Sequence, residues 1–484
     1  SWVWARVVAG KHDVIRSIAV LPPENLAGDS SRAYLIPGIQ EGLITELGQL
    51  GEVRVKSRNA VLSFWDETHS IPGVVEGLNL DGVVELAILP TGGNLQITAK
   101  LVRGRDLDVV WAQTYSIAEP DLLRTLASLA RSVAEAAGVP ISRTTRTRLT
   151  AVRQVNPEAY ALVERARASD RWEKAGQEQA HRYLSEARLI DPLYAPAYAL
   201  LSKVMTVQLL LGYLRPVEYG PQVVQAARKA VELDSLDAAN WTALAEAEFW
   251  INWDRVAAER AFTKANELNP SLVGASTGHS TYLTLTGRFD EAIAEIERVE
   301  RNDPQSDEAR LQVHWVHFNA RRYPEALALW KGRTDKWFLQ QISWDYVMLD
   351  SAAKAIALTE RVLADTTGPN DGFALSTAAG VYALAGRPRE ARRLLDSTFV
   401  WARREERPLD PYMVALTYAT LGDDVEAIRW LERVLAERWP SMMFAAVEPW
   451  LSDRFRTLPR VREIFRAAGL PEWASQPFRE RPTP

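Results

Sequence analysis

The sequence predicts two parts of different architecture: an α/β domain over residues 17–141 and an all-α array of helix–turn–helix repeats over residues 156–440. Three observations carry that reading. Small, bulky, small and proline residues recur at fixed offsets through the second part, with a period of about 34 residues. Short runs of alternating or β-branched apolar residues, interleaved with helical spacing, fill the first 140 residues. A chain of 484 residues, 47% hydrophobic and 25% charged, is also too long for one domain yet ordinary in soluble composition.

Residues 1–16 form a separate amino-terminal segment. Ser1-Trp2-Val3-Trp4-Ala5-Arg6-Val7-Val8 sets two tryptophans beside an arginine, as at the interfacial end of a membrane-spanning helix. The segment reads as the end of an anchor, although a processed terminus accounts for the missing initiator Met equally well. Ser17-Ile18-Ala19-Val20-Leu21 is a buried-strand run closed by Pro22-Pro23. From Tyr34 to Leu50, Ile39, Leu43, Ile44 and Leu47 share a helical face, and Gly48 and Gly51 stop the helix. Val53-Arg54-Val55 alternates as a strand, and a short helix from Ile71 to Leu78 precedes the apolar run Val83 to Ile88. Leu95 to Val102 and Val109 to Tyr115 alternate as strands, with Thr91-Gly92-Gly93-Asn94 as a hairpin turn. Asp121 opens a helix through Leu122, Leu126, Leu129 and Val133 that ends at Gly138-Val139-Pro140. Residues 142–155, with the basic stretch Arg143 to Arg148, read as a solvated linker.

In the second part, Ala180, Leu184, Ala187 and Pro192 share their offsets with Ala258, Phe262, Ala265 and Pro270, and with Ala292, Ile296, Val299 and Pro304. Ala326, Ala355, Ala391 and Ala427 continue the series, giving about eight repeats between Pro157 and Pro440. No such repeat buries its apolar face alone, so stacked neighbours must share a core. The alanines admit bulky residues from the neighbouring helix. The prolines stop the second helix of each repeat, and Asp191, Asn269 and Asp303 before them suit the turn into the next. About nine extra residues near Leu210 to Pro221 predict a protruding corner at Leu211 to Pro216. Residues 441–484 are expected to cap the array with a helix pair.

The first helix of each repeat is expected to line a concave face. Repeat numbering places Asn240, Trp250, Thr277, Thr281, Trp315, Phe318, Asn319, Trp337, Gln340, Trp344, Phe373 and Tyr412 there. An exposed aromatic face of this kind marks an interaction surface, which makes these residues candidates for a partner-binding groove. Tight curvature that buries the rings against the next repeat is the competing reading, and 17 tryptophans in the chain favour it. The groove reading predicts that Trp315→Ala with Trp344→Ala weakens partner capture and leaves unfolding nearly unchanged.

Signatures of catalysis are sparse. Gly274-Ala275-Ser276-Thr277-Gly278 matches the nucleophile-elbow spacing, but that motif needs a strand–turn–helix context and here falls inside a repeat helix. His314 and His317 lie one helical turn apart without a third metal ligand nearby, and fall at repeat positions that pack between helices. The chain has no cysteine, which excludes disulfides and thiolate metal sites. A formal charge of −5 gives no reason to expect a nucleic-acid surface, and no run of ~18 apolar residues crosses a membrane. No catalytic, cofactor or metal site is therefore expected, and the chain is read as non-enzymatic.

The stretch Ser17 through Asn25-Leu26-Ala27-Gly28-Asp29, then Gly38-Ile39-Gln40-Glu41-Gly42-Leu43-Ile44-Thr45-Glu46-Leu47, resembles the TolB-like (FlgO-like) amino-terminal domain. Val53 to Arg58 and Val110 to Tyr115 extend the resemblance. Leu416 to Asp423, Ala427 to Glu432, Phe455-Arg456, Pro459-Arg460-Val461 and Gly469-Leu470 are similar to the end of the tetratricopeptide arrays that follow such domains. The resemblance implies a right-handed tetratricopeptide superhelix after the α/β domain, in bacterial regulators that carry a winged-helix, kinase or cyclase domain upstream. It implies a protein- or peptide-binding sensor or scaffold, tethered to a membrane by an anchor upstream and facing the periplasm, with the cytoplasm as the alternative. A structural subunit docking on a larger membrane assembly is the other functional reading.

Overall fold

The structure, a computed structural model, describes residues 14–26, 35–50, 53–91, 94–141, 154–169, 173–302, 307–333, 336–365 and 372–478. The Trp2–Trp4 segment, the Gly92-Gly93 turn, the Arg143 to Arg148 stretch, Asp303 and Pro304 lie outside them. Two units emerge: residues 1–164 with 268–273 and 302–305, and the remainder of the chain.

The first unit is built on a sheet in the order β3-β1-β4-β5-β6, from β1 (Ser17–Val20), β3 (Arg54–Val55), β4 (Gly82–Thr91), β5 (Asn94–Arg103) and β6 (Val109–Ala118), with β2 (Glu24–Asn25) also on β4. Strand β1 runs parallel to β3 and β4, whereas β4, β5 and β6 are antiparallel. Alternation along β1 sends Ala19 one way and Ile18 and Val20 the other, and all three are buried. Ala19, Leu21, Val83 and Val102 pack on Ala60, Val61, Val74 and Leu78 from helices α2 (Arg58–Thr68) and α3 (Ile71–Leu78). The sequence reading omitted α2. Its start is nevertheless signalled by Ser57, whose hydroxyl accepts from the Ala60 amide at 3.1 Å. Helices α1 (Leu35–Gly48) and α4 (Leu122–Ala136) meet closely at Gly42, where a Cβ would stand 2.7 Å from Leu126 Cδ1. A side chain at that position would require the end of Leu126 to move aside.

From residue 157 to residue 437, sixteen helices follow one another among the described residues, in eight successive pairs. The seam between helices is alanine-rich: Ala258, Ala292, Ala326, Ala355, Ala391 and Ala427 are all fully buried, and Ala180 nearly so. In the second pair Val223, Ala227 and Ala230 occupy the same offsets, and all three are buried. Five pairs share one connection, a three-residue turn whose middle residue has positive φ: Gly287, Arg321, Asp350, Gly386 and Gly422. Glycine adopts that conformation without penalty, whereas Arg321 and Asp350 adopt it with a Cβ in place. Between pairs, Asp191 accepts from the Leu193 amide at 3.2 Å and Asn269 from the Ser271 amide at 3.0 Å, so each closes a turn onto the residue two further on.

The Leu211 to Pro216 corner differs from the expected protrusion. Leu211 carbonyl accepts from the Arg407 guanidinium at 3.4 Å, and that guanidinium lies 4.2 Å over the Tyr213 ring. The corner of the second pair is thus held by the loop after the seventh. A similar return joins the third and eighth pairs, where Arg438 donates to the Ile251 and Asn252 carbonyls at 3.2 and 3.1 Å. Repeat spacing reports neighbours along the array and is silent about such returns.

Candidate ligand site inside the helix-pair array

Behind the last pair, Arg438 turns the chain with φ 55°, and Pro440–Ala446 forms a 3-10 helix. That segment goes to the interior. Phe444 meets Trp250 at 5.4 Å and Trp315 at 5.9 Å between ring centroids, and Trp450 meets Trp344 at 5.6 Å. Trp450 fits because Gly380 faces it: a Cβ there would stand 2.3 Å from the indole. The fold-back is pinned by Arg456, which is fully buried. Its guanidinium donates to the carbonyls of Ala445 at 2.6 Å, Leu451 at 3.2 Å, Ala474 at 3.2 Å and Ala446 at 3.4 Å, and to that of Glu448. Burial lowers its pKa to about 10. Helix Pro459–Ala467 then packs on Asp424–Glu437, so the same carboxy-terminal stretch covers the end of the array as well.

The residues expected on a wet concave face are therefore mostly enclosed. Asn240, Trp250, Thr277, Phe318, Asn319, Gln340, Trp344 and Tyr412 are buried, and Thr281 and Trp315 are half-buried. Trp250 sits in a π-helical turn, Glu248–Asn252, that continues helix Ala238–Ala247. Asn240 donates to the Asp234 carbonyl at 2.8 Å, Thr281 to Gln312 at 3.0 Å, and Gln340 to Thr377. The side chains of Trp337 and Phe373 lie outside the described residues.

Trp315, Phe318, Asn319, Trp344 and Tyr412 come together around a cavity of about 230 Å³. Its remaining wall includes Trp401, Asp410, Phe444, Glu448 and Trp450, which the repeat numbering did not single out. Asp410 caps helix Pro411–Thr420, accepting from the Tyr412 amide and the Ser441 hydroxyl, both at 2.9 Å. Burial nevertheless pushes its carboxyl up to about 6. Burial likewise pushes Glu448 up to about 7, although its carboxylate accepts from the Trp450 amide at 3.2 Å. The Tyr412 hydroxyl is paired with the Glu448 carboxylate, and the Trp450 indole N–H is buried without a partner. The capping role of an aspartate before Pro411 could be read from sequence; its place in a cavity wall depends on long-range folding.

A wider cleft of about 1300 Å³ opens over the first three pairs, between Arg188, Tyr198, Met205, Val217, Arg228 and Arg438. Of the other singled-out groups, Ser276 is buried within helix Val273–Leu285, where its hydroxyl accepts from Arg298 at 2.9 Å. His314 is buried against Asp345, with Nε2 to Oδ2 at 3.1 Å, while His317 is only half-buried and its pKa is lowered, chiefly by burial. Among the described residues, no group of three or more potential ligands could hold a metal ion, and no helix is long and apolar enough to cross a membrane.

No family model matches the chain. Among curated proteins it is 29% identical over 237 residues to "Putative adenylate cyclase 3" of Rhizobium meliloti (strain 1021), covering 49% of this chain and 40% of that protein. The chain thus spans less than half the length of the curated relative it matches. A tetratricopeptide repeat protein from Parabacteroides merdae is 14% identical, covering 55% of this chain and 98% of its own, with TM-score 0.38. The human IFIT1 dimer with PPP-AAAA is 11% identical, covering 90% and 92%, with TM-score 0.47. Lipoprotein GNA1162 from Neisseria meningitidis is 18% identical, covering 25% and 99%, with TM-score 0.21. The chain is a mostly helical protein with a small amino-terminal sheet, and tetratricopeptide repeat proteins are among its structural neighbours.

Proposed function

We propose that the chain is a non-catalytic sensor or scaffold region that captures a protein or peptide through its helix-pair array, in a membrane-tethered bacterial regulatory protein. The observation that carries this reading is the open cleft of about 1300 Å³ over the first three pairs, beside an interior already occupied by the chain's own rings. Val217, on the cleft wall, is 63% exposed, an apolar side chain left available in a cleft that Arg188, Arg228 and Arg438 also line. Ser276 and His314 support a non-enzymatic reading, because each is buried in a helix and engaged by a structural partner. The stretch similar to a cyclase-named protein favours a regulatory setting over a purely structural subunit. A TolB-like first domain, right-handed winding of the array and a periplasmic location complete the proposal.

Photo-crosslinking tests it. With benzoylphenylalanine replacing Val217 in cells that make the protein, a discrete adduct is expected, absent when the probe replaces the exposed Val400. Equal labelling at both positions, or none at either, would overturn the reading.

A further inference from the structure

We infer that β6 is an association edge, on which β6 of a second copy of this chain pairs antiparallel and joins two sheets into one. The two sides of the sheet are guarded differently. On one side β3 is two residues long and exposes Arg54, and β2, on the same side of β4, is equally short and exposes Glu24. Short charged edges of this kind discourage pairing with another chain. On the other side β6 runs for ten residues with no charge and no proline. Among the described residues its backbone pairs with β5 alone. Ala112, Gln113, Thr114, Ser116 and Ala118 are exposed, while Trp111, Tyr115 and Ile117 are half-buried. A long, neutral edge rich in β-formers is a template for a further strand.

The order of residues in the strand selects a second copy as the occupant. Side chains alternate between faces, so a self-pair must set even-numbered residues opposite even ones and odd opposite odd. A two-fold axis at Thr114 does so. One face then pairs Thr114 with Thr114, Ala112 with Ser116 and Val110 with Ala118, and the other pairs Trp111 with Ile117 and Gln113 with Tyr115. Small side chains meet small ones, large meet large, and no like charges oppose each other. The rows already formed with β5 continue across the junction. Thr98 stands opposite Thr114 with the hydroxyls 3.1 Å apart, so the joined sheet carries a ladder of four threonines. Lys100 stands opposite Ala112, and Gln96 opposite Ser116, so the row of Lys100 ends on Gln96 of the second copy and meets no cation.

Light scattering of the whole chain over a concentration series should show a monomer–dimer equilibrium. Thr114→Lys sets two lysines on the axis and should weaken the dimer about fivefold or more. Mixing Thr114→Lys chains with Thr114→Asp chains should restore it, each in protein whose circular dichroism matches the parent. The chain has no cysteine, so a cysteine at the axis reports it directly. A short bis-maleimide should link Thr114→Cys chains in pairs, whereas Val400→Cys, exposed in the other unit, should stay single. A chain monomeric at every concentration, whether bare or with a foreign segment on β6, would overturn the assignment. So would a dimer indifferent to Thr114→Lys, or linking at Thr114→Cys no greater than at Val400→Cys. The crosslink at Val217 probes the other unit, so the two proposals fail separately.

Discussion

The seam between the helices and the interior of the array are both buried, yet they are buried by different means. The seam is made of small and bulky residues that alternate along one helix face, such as Ala292 and Ile296 or Ala258 and Phe262, with single hydroxyls crossing it, as from Ser280 to the Ala292 carbonyl at 3.1 Å. The interior is made of tryptophans, two carboxyls and a buried arginine, brought together from helices far apart in sequence and from the carboxy-terminal segment. Packing of neutral side chains, with an occasional hydroxyl-to-carbonyl bond, fixes the seam. The interior additionally depends on satisfying charge and hydrogen bonds in a low-dielectric space, where an unmet partner is costly. A repeat array can therefore be uniform along its outside and individual at its centre.

That contrast can be broken first at the rings. Trp315→Ala with Trp344→Ala should destabilise the second unit by more than about 4 kcal/mol, read as a fall in urea midpoint, because each truncation leaves a large hole. A nearly unchanged midpoint would restore the rings to a wet surface and remove the contrast. Arg456→Ala is expected to cost about 3–5 kcal/mol, since five carbonyls lose their donor in a buried setting. At the seam, Ala292→Leu should cost roughly 1–3 kcal/mol by overpacking, with no dependence on pH.

Glu448→Gln sharpens the comparison because its sign changes with conditions. The folded carboxyl is raised to about 7 by burial, whereas an unfolded glutamate titrates near ~4.3. The folded chain thus holds that proton more tightly, and the associated stability is complete below the unfolded value and lost as pH rises through about 7. Relative to the parent, the glutamine variant should gain roughly 1–3 kcal/mol between acid and mildly alkaline pH, measured as the difference between two melting curves. Smallest is Asp350→Gly in a turn of positive φ, expected to add up to about 1 kcal/mol by relieving the left-handed strain.

How much of this was legible in the sequence follows the same division. The alanine offsets located the seam because a helix pair repeats its own local geometry, and the prolines at 192 and 270 marked where pairs end. Strands β1 and β4 stood out as apolar runs and β5 and β6 through alternation, while α2 was missed although Ala60, Val61, Phe64 and Trp65 carry helical spacing. In the interior, Trp315, Phe318, Asn319, Trp344 and Tyr412 were picked by repeat position and do line one cavity. Asp410, Phe444, Glu448 and Trp450 complete it, and no periodicity relates them to those rings. The occupant of the hollow is the chain itself, and only contacts across well over a hundred residues disclose that.

Hydrogen exchange over residues 440–456 tests most directly whether the carboxy-terminal segment fills the array. The amides of Met442, Val447, Leu451 and Arg456 donate to backbone carbonyls inside that fold-back. They are expected to exchange as slowly as the core of helix Asp424–Glu437, and to lose protection together with Phe249 to Ile251 on unfolding. Exchange of the segment at the rate of an unstructured peptide, while the helix pairs remain protected, would contradict the account.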